Sequence, residues 1–213
     1  RGIDKPIATV VTQVRVDAKD DAFKNPTKPI GTFMEEDDAM QRKQDLGWNV
    51  VEDSGRGWRR VVPSPLPQEV VELRSVKKLI NAGHIVITVG GGGIPVVMED
   101  GGLKGVAAVI DKDYASSLLA REINADLFLI STAVEKVSLN FGKPDEKQLD
   151  RITLSEAKAY LAEGTHFAKG SMAPKVQAII WFLEEGGKEA LITNPENIGR
   201  ALKGETGTWI VQD

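Results

Sequence analysis

The sequence HIVITVGGGG, residues 84–93, decides the fold class because it joins an apolar run directly to four consecutive glycines. The run HIVITV is continuous rather than alternating, which is typical of a strand buried on both faces of a parallel sheet. A helical stripe over residues 70–80 precedes it, and a β-like run over residues 106–110 and a helical pattern over residues 114–123 follow it. Strands that alternate with helices predict an α/β fold, with a parallel or mixed sheet covered by helices on both faces.

The C-terminal half continues the alternation. Val176, Ile179, Ile180 and Leu183 stand at helical spacing and predict an amphipathic helix over residues 174–185. The other elements predicted in this half are strands at residues 126–131, 136–140, 190–193 and 208–211 and a helix at residues 195–202.

The N-terminal third has a different character. Its predicted elements, in chain order, are a strand over residues 7–16, a loop over 17–33, a charged helix over 35–46 and a hairpin with strands at 48–52 and 58–62. The proline-rich connector PSPLP, residues 63–67, is the best candidate for a subdomain boundary. The sequence opens with RGIDKP and has no initial Met. We therefore expect a fragment whose earlier part is missing.

Composition excludes several classes of function. The chain has 213 residues, no cysteine and a formal net charge of −4, with a pI of about 5.4. Cysteine-ligated metal sites, thiolate catalysis and disulfides are therefore excluded, and bulk attraction to nucleic acid or to anionic membranes is not expected. No apolar run approaches the roughly 18 residues that a membrane span needs, and no signal peptide is visible, so we expect a cytoplasmic protein.

The glycine run Gly90, Gly91, Gly92 and Gly93 is the first candidate for a binding site. Bare backbone N–H groups at the end of a strand can approach a phosphate closely. Neither common nucleotide motif fits, because Pro95 stands where G-x-G-x-x-G needs its last glycine and the chain has no G-K-[ST]. A turn that uses glycine only for its backbone conformation stays open as the alternative.

Two further segments place lysine at the start of a predicted helix. Lys112 and Asp113 follow a β-like run, and Asp113 is either a helix N-cap or part of a ligand site. Gly170, Ser171 and Met172 open the helix that carries Lys175, with Ser171 as the expected N-cap. A lysine there opposes the helix dipole, so it either binds an anion or is simply solvated.

Other polar residues are weaker candidates by themselves. Lys28 lies on the proline-stiffened loop and could face a ligand, while His84 and His166 are either packed or functional. The cluster WRR, residues 58–60, is interpreted as a solvated strand face rather than as a nucleic-acid patch, because the chain is acidic.

Taken together, these segments resemble the carbamate kinases, a branch of the amino-acid kinase family. The matching stretches follow the family's order along the chain and are NPTKPIG (25–31), EDSGRGWRRVVPSP (52–65), GGGG-x-PV (90–96), VIDKD (109–113), LNFGKP (139–144) and HFAKGSMAPK (166–175). The resemblance implies a three-layer αβα sandwich with a mainly parallel sheet and a small protruding subdomain. It also implies a family chain roughly a third longer at its N-terminal end.

The resemblance divides the chain into the end of an N-terminal lobe (1–16), a protruding subdomain or lid (17–62) and a nucleotide-binding lobe (63–213). It implies transfer of a phosphoryl group between ATP and carbamate, with Mg²⁺ bound through the nucleotide and a homodimer as the assembly. It makes ATP or ADP and carbamate or carbamoyl phosphate the partners, and excludes nucleic acid and membranes.

The resemblance also suggests roles for individual residues. Lys112 and Lys175 would contact the phosphoryl oxygens, Asp113 would orient these lysines, and Lys28 would reach the carbamate. The residues expected to bind the nucleotide are Gly90, Gly91, Gly92, Gly93, Ala133, Phe141, Gly170, Ser171, Met172 and Lys175.

Two alternatives remain. The first is another amino-acid kinase, acting on acetylglutamate, glutamate or a nucleoside monophosphate, against which NPTKPIG and EDSGRGWRR argue. The second is a nucleotide-binding module without catalytic activity.

Overall fold

A computed structural model describes residues 2–53, 55–168 and 170–213 of the chain. These residues form two compact units, which divide between Ala115 and Ser116. The predicted boundaries at residues 16 and 62 differ from this division and stay predictions.

The first unit is rich in short strands. Its elements are β1 (Ile7–Thr9), β2 (Gln13–Val16), a 3₁₀ turn (Asp21–Phe23), β3 (Lys28–Met34), α1 (Glu36–Leu46), β4 (Asn49–Glu52), β5 (Trp58–Val62), β6 (Pro67–Val70), α2 (Leu73–Asn81), β7 (Ile85–Ile87), a 3₁₀ turn (Gly90–Gly92), β8 (Ile94–Glu99) and β9 (Gly102–Gly105). Helix α3 (Lys112–Glu122) spans the division between the units.

The second unit alternates strands and helices. Its elements are β10 (Leu127–Ser131), β11 (Val137–Leu139), β12 (Lys147–Leu149), β13 (Arg151–Thr153), α4 (Leu154–Glu163), α5 (Met172–Glu184), β14 (Glu189–Thr193), a 3₁₀ turn (Pro195–Asn197), α6 (Ile198–Ala201) and β15 (Thr208–Val211).

The expected α/β class is confirmed, and the sheets are mixed. In the first unit the strand orders are β1-β7, β6-β2-β8-β9 and β3-β5-β4, with β1–β7 and β2–β8 parallel. In the second unit β10, β14, β15 and β13 form one sheet, in which β10–β14 and β13–β15 are parallel. The strand β14 and the apolar side of α5 supply much of the core of this unit.

The single strand expected over residues 7–16 is wrong. It is two strands, because β1 pairs with β7 whereas β2 pairs with β6 and β8. The chain changes sheets near Thr12, whose hydroxyl donates to the Val10 carbonyl and accepts the N–H of Val89. Side-chain hydrogen bonds of this kind offer the backbone an alternative to a continuous ladder.

The loop expected over residues 17–33 is also wrong in its second half. Lys28–Met34 is a strand at the edge of the β3-β5-β4 sheet, and Pro29 pairs with Val61. An edge strand tolerates proline because one side of its backbone needs no partner in the sheet. The predicted helix and hairpin beside it are confirmed as α1, β4 and β5.

Three boundaries around the glycine run differ from expectation. Val70 ends strand β6, so the helix begins only at Leu73, and residues 106–110 have no regular secondary structure. The strand expected to be fully buried is shorter and partly exposed, with Ile85 40% and Ile87 54% accessible. Both side chains lie on the same face of the two-stranded β1-β7 sheet, and the described residues leave that face partly open to solvent.

In the second unit the four predicted strands correspond to β10, β11, β14 and β15, and the long helix to α5. The sequence analysis missed β12, β13 and α4. Helix α4 carries a clear start signal, a capping box in which Thr153 and Glu156 bond each other's backbone N–H groups. The helix expected over residues 195–202 is a 3₁₀ turn followed by the short α6.

Candidate active site

Close packing explains part of the glycine run. A Cβ atom on Gly92 would lie 2.3 Å from the carbonyl oxygen of Ile110, and one on Gly93 would lie 2.5 Å from Cγ2 of Val14. Both residues also have positive φ angles, which favour glycine. Gly90 and Gly91 meet nothing within 4 Å, but Gly91 has a φ of 67°, so only Gly90 has neither a packing nor a conformational reason to be glycine. Bare backbone at these two positions is free to approach a ligand.

The turn is held from outside by Thr12, a residue that the sequence analysis missed. Its hydroxyl lies 3.0 Å from the hydroxyl of Thr88 and accepts the N–H of Val89 at 2.8 Å. Val89 has a φ of 46°, an uncommon conformation for a β-branched residue. The hydroxyl of Thr12 therefore stabilises the backbone conformation that starts the glycine turn.

Lys28 and Asp111 form an ion pair next to this turn. Their Nζ and Oδ2 atoms are 2.5 Å apart, although the residues are 83 positions apart in the sequence. Asp111 follows Ile110, the residue against which Gly92 packs. Three of the family motifs, NPTKPIG, GGGG and VIDKD, thus meet within the first unit.

The charge state of Asp111 follows from its neighbours. Burial of the carboxyl group acts to raise its pKa, but the hydrogen bond and charge of Lys28, the N–H of Asp113 and the charge of Lys112 together lower it. Asp111 is therefore ionised at neutral pH, and Lys28 is held by a full negative charge rather than facing solvent alone.

The expectation that Asp113 caps the helix is wrong, because Asp111 does so. The Oδ1 atom of Asp111 accepts the N–H of Asp113 at 2.9 Å, the bond that an N-cap side chain makes two residues into a helix. Asp113 is buried in the first turn, and Lys112 is the exposed first residue of α3. The two aspartates of VIDKD look equivalent in the sequence, and only the helix start distinguishes them.

The second unit contains a cavity of about 190 Å³ that brings together most of the nucleotide-binding residues predicted there. Of these, Ala133, Phe141, Ser171, Met172 and Lys175 line it. The other lining residues, which the sequence analysis did not assign to a site, are Thr132, Val134, Lys136, Ser138, His166, Phe167 and Ala168.

The start of α5 forms one wall of this cavity. Ser171 occupies the expected N-cap position, but its hydroxyl makes no capping hydrogen bond with the described residues. Its backbone N–H and that of Ala173 both donate to the carbonyl of Ala168. Lys175 lies in the first turn, where the positive end of the helix dipole and a lysine charge act together on an anion.

Two cavity residues are fixed by polar contacts that sequence spacing does not reveal. The ring nitrogens of His166 lie 2.9 Å from Asn140 Oδ1 and 2.8 Å from Glu163 Oε2, so the ring is held at both ends. Lys136 donates to Asp150 at 2.5 Å. His166 is the first residue of the motif HFAKGSMAPK, and this motif is the one sequence feature that could have placed His166 at the site.

Within the described ranges, no helix combines the length and the apolar character needed to cross a membrane.

The comparisons with known proteins agree with the motifs. The model of the amino acid kinase family matches residues 34–194. The carbamate kinase of Thermococcus kodakarensis is 53% identical over 213 residues, which cover 100% of this chain and 67% of the relative. The carbamate kinase-like protein YqeA of Escherichia coli is 55% identical over 213 residues, covering 100% and 68% of the two chains.

A solved structure supports the same conclusion. The carbamate kinase of Giardia lamblia bound to AMP-PNP has a TM-score of 0.87 and 47% identity, covering 100% of this chain and 67% of that one. The fold class and the greater length of the relatives are thus confirmed. The chain belongs to the amino acid kinase family, in its carbamate kinase branch.

Proposed function

We propose that this chain catalyses reversible phosphoryl transfer between ATP and carbamate, giving ADP and carbamoyl phosphate. The observation that carries the proposal is the meeting of NPTKPIG, GGGG and VIDKD around the ion pair of Lys28 and Asp111. These motifs are far apart in the sequence, and the fold brings their charged and glycine residues together at one place in the first unit. The identity of about half over the full chain gives independent support.

The chemistry needs positive charge more than it needs a base. Carbamate is already an anion, so its oxygen attacks the γ-phosphorus without losing a proton. The barrier comes from bringing two anions together while negative charge spreads over the transferring group. Lys112 and Lys175 act on the phosphoryl oxygens, and the N–H groups of Gly90 and Gly91 add further donors.

Lys28 acts on the carbamate, and Asp111 holds it until the substrate arrives. The pair places the ammonium group beside the glycine turn instead of leaving it on a mobile stem. A bound carbamate or carbamoyl phosphate then shares or replaces the carboxylate of Asp111 as its partner. Asp113 is buried in the first turn of α3. In this proposal it orients Lys112 and Lys175 and accepts no proton.

The cavity of the second unit holds the adenine. Ala133, Phe141 and Met172 supply apolar surface, and the side chain of Phe141 is 68% exposed, so a planar base gains contact by covering it. Ser171 and Lys175 lie on the side of the cavity where the helix N-terminus favours phosphate, and Gly170 directly precedes Ser171.

Magnesium accompanies the nucleotide in this proposal. Among the described residues no group of three His, Asp or Glu side chains is arranged to hold a metal ion. Mg²⁺ is commonly bound mainly through substrate phosphates, and we infer this mode here because the nucleotide supplies them. When bound, the ion would neutralise charge on the β- and γ-phosphates.

We also propose the cytoplasm, where ATP is abundant, as the location of the protein, and a homodimer as its assembly.

A binding module without turnover is the second candidate. One relative of similar identity is named carbamate kinase-like, and the chain spans about two thirds of its relatives' length. The third candidate, another amino-acid kinase, is disfavoured by the NPTKPIG and EDSGRGWRR motifs.

Titration with ADP, followed by an assay of ATP formation from ADP and carbamoyl phosphate, separates these candidates. Binding with turnover supports the kinase, and binding without turnover supports the module. Turnover with acetyl phosphate or glutamyl phosphate but not with carbamoyl phosphate supports a different kinase.

A further inference from the structure

A cleft of about 220 Å³ in the first unit lies beside the β3-β5-β4 sheet, and none of the residues assigned to catalysis lines it. Its polar lining comes from three elements: Arg42 on α1, Arg60 on β5 and Thr32 on β3. Trp48, between α1 and β4, forms the apolar part of the wall together with Ile30 and Met34.

The two arginines share one aromatic platform. The guanidinium carbon of Arg42 lies 5.3 Å from the centroid of the Trp48 ring, and that of Arg60 lies 4.7 Å from it. Such cation–π contacts hold a guanidinium in place while its N–H groups stay available at its edge. Trp48 therefore holds two guanidinium groups, each with several N–H donors, in one cleft.

Neither of these arginines forms an ion pair with an acid in the part of the chain that the structure describes. The neighbouring arginines behave differently, since Arg56 and Arg59 both bond the carboxylate of Asp53, at 3.1 and 3.3 Å. Asp38 and Asp45 lie near Arg42 on α1. Neither forms an ion pair with it among the described residues, so the two guanidinium charges on this indole have no direct counter-charge there. This arrangement favours an anion supplied from outside the chain.

The strand beside the cleft is irregular at the same place. The register of β3 against β5 breaks between Ile30 and Met34, which leaves Thr32 outside the matched pairs. Irregularities of this kind on edge strands commonly redirect side chains toward functional sites. The hydroxyl of Thr32 adds a third donor to the lining of the cleft.

We propose that this cleft binds a phosphate-type oxyanion, held by Arg42, Arg60 and Thr32. Two planar guanidinium forks and a hydroxyl match the several acceptor oxygens of a tetrahedral phosphate. The site is separate from the proposed transfer reaction, because none of the three residues that hold the oxyanion is among the lysines and glycines that we assign to phosphoryl transfer. The oxyanion is either free phosphate or the phosphate of a small monoester.

The test is an NMR titration of the 213-residue chain with inorganic phosphate at constant ionic strength, followed at the Trp48 indole N–H and the Thr32 amide. We expect both signals to shift and to saturate. The variants Arg42→Gln and Arg60→Gln should each weaken binding roughly tenfold, the loss expected for a charged hydrogen bond. Arg74→Gln, which removes an exposed arginine on α2, should leave the affinity within about twofold of the original.

Three further arms sharpen the test. Trp48→Leu keeps the charge but removes the platform, and should weaken binding at the Thr32 amide. Lys175→Gln should leave the Trp48 shift unchanged, because Lys175 lies in the other cavity. A parallel titration with glycerol 3-phosphate compares the two sources of the oxyanion. Tighter binding of glycerol 3-phosphate indicates a phosphate monoester as the ligand, and tighter binding of inorganic phosphate indicates free phosphate. Shifts that never saturate, or an equal loss in Arg74→Gln, would overturn the proposal.

Discussion

The Nζ atom of Lys28 lies 2.5 Å from the Oδ2 atom of Asp111, which connects the strand β3 to the start of α3 within the first unit. The carboxylate that holds Lys28 also caps the helix through the N–H of Asp113. One buried side chain therefore positions a lysine that we assign to the substrate and a helix start that carries a second one, Lys112.

Replacing the shared carboxylate is the first prediction. Asp111→Asn keeps the shape of the side chain but removes its charge, so we expect a loss of roughly 1–3 kcal/mol in the free energy of unfolding, the range for a buried polar group that loses its partner. Denaturant unfolding at neutral pH measures this loss. Asp126→Asn, at an exposed ion pair with Lys188, is the matched control and should leave the free energy of unfolding nearly unchanged, because solvent screens this pair.

The same pair predicts a pH dependence. The pKa of Asp111 is lowered in the folded state, so its contribution to stability is fully present above the unfolded pKa and is lost as the pH falls through the folded pKa. The difference in unfolding free energy between the original chain and Asp111→Asn should therefore shrink steadily in acid. A difference that stays constant down to the lowest pH at which the chain folds would contradict this assignment.

Gly90 and Gly92 should respond differently to replacement by alanine. Gly92→Ala forces a Cβ to within 2.3 Å of the carbonyl of Ile110 at a φ of +105°, and we expect it to cost about 1–3 kcal/mol or more. Gly90→Ala meets nothing within 4 Å and should leave stability within roughly 0.5 kcal/mol. Thermal unfolding of both variants checks this contrast, and equal melting temperatures would contradict it.

Lys175 should matter for nucleotide binding. Lys175→Ala removes a charge at the start of α5, and we expect ADP affinity to fall by roughly 1.5–3 kcal/mol, the range for a charged hydrogen bond. Calorimetric titration measures it, with Lys188→Ala as a control, since Lys188 lines a different cleft of the second unit. Unchanged affinity in a folded Lys175→Ala chain would remove Lys175 from the site.

Lys112 should act in the chemical step. An interaction formed mainly in the transition state lowers kcat and kcat/KM together when it is removed. Lys112→Ala should show this pattern in steady-state kinetics, with little change in the KM for ADP. A loss confined to KM would show that Lys112 only binds the nucleotide.

The sequence was informative where a local pattern decides the structure. The spacing of Val176 to Leu183 predicted α5, and Gly47 correctly ended α1, because these signals act within a few residues. The glycine run and both lysine-bearing helix starts were also found from local chemistry.

The errors have a common cause, which is contact between distant segments. The break after Thr9 depends on the hydroxyl of Thr12, which accepts the N–H of Val89, and the strand at Lys28 depends on pairing with β5. The role of Asp111 depends on a lysine 83 positions away. No local pattern contains this information.

The central claim is that the chain transfers a phosphoryl group between carbamoyl phosphate and ADP. Its most direct test is ATP formation by the 213-residue chain with Mg²⁺, ADP and carbamoyl phosphate, compared with Lys28→Ala. We predict one ATP for each carbamoyl phosphate consumed. Lys28→Ala should strongly reduce turnover at nearly unchanged ADP affinity, because Lys28 contacts the small substrate and not the nucleotide. ADP binding without any ATP, or full activity in Lys28→Ala, would contradict the account.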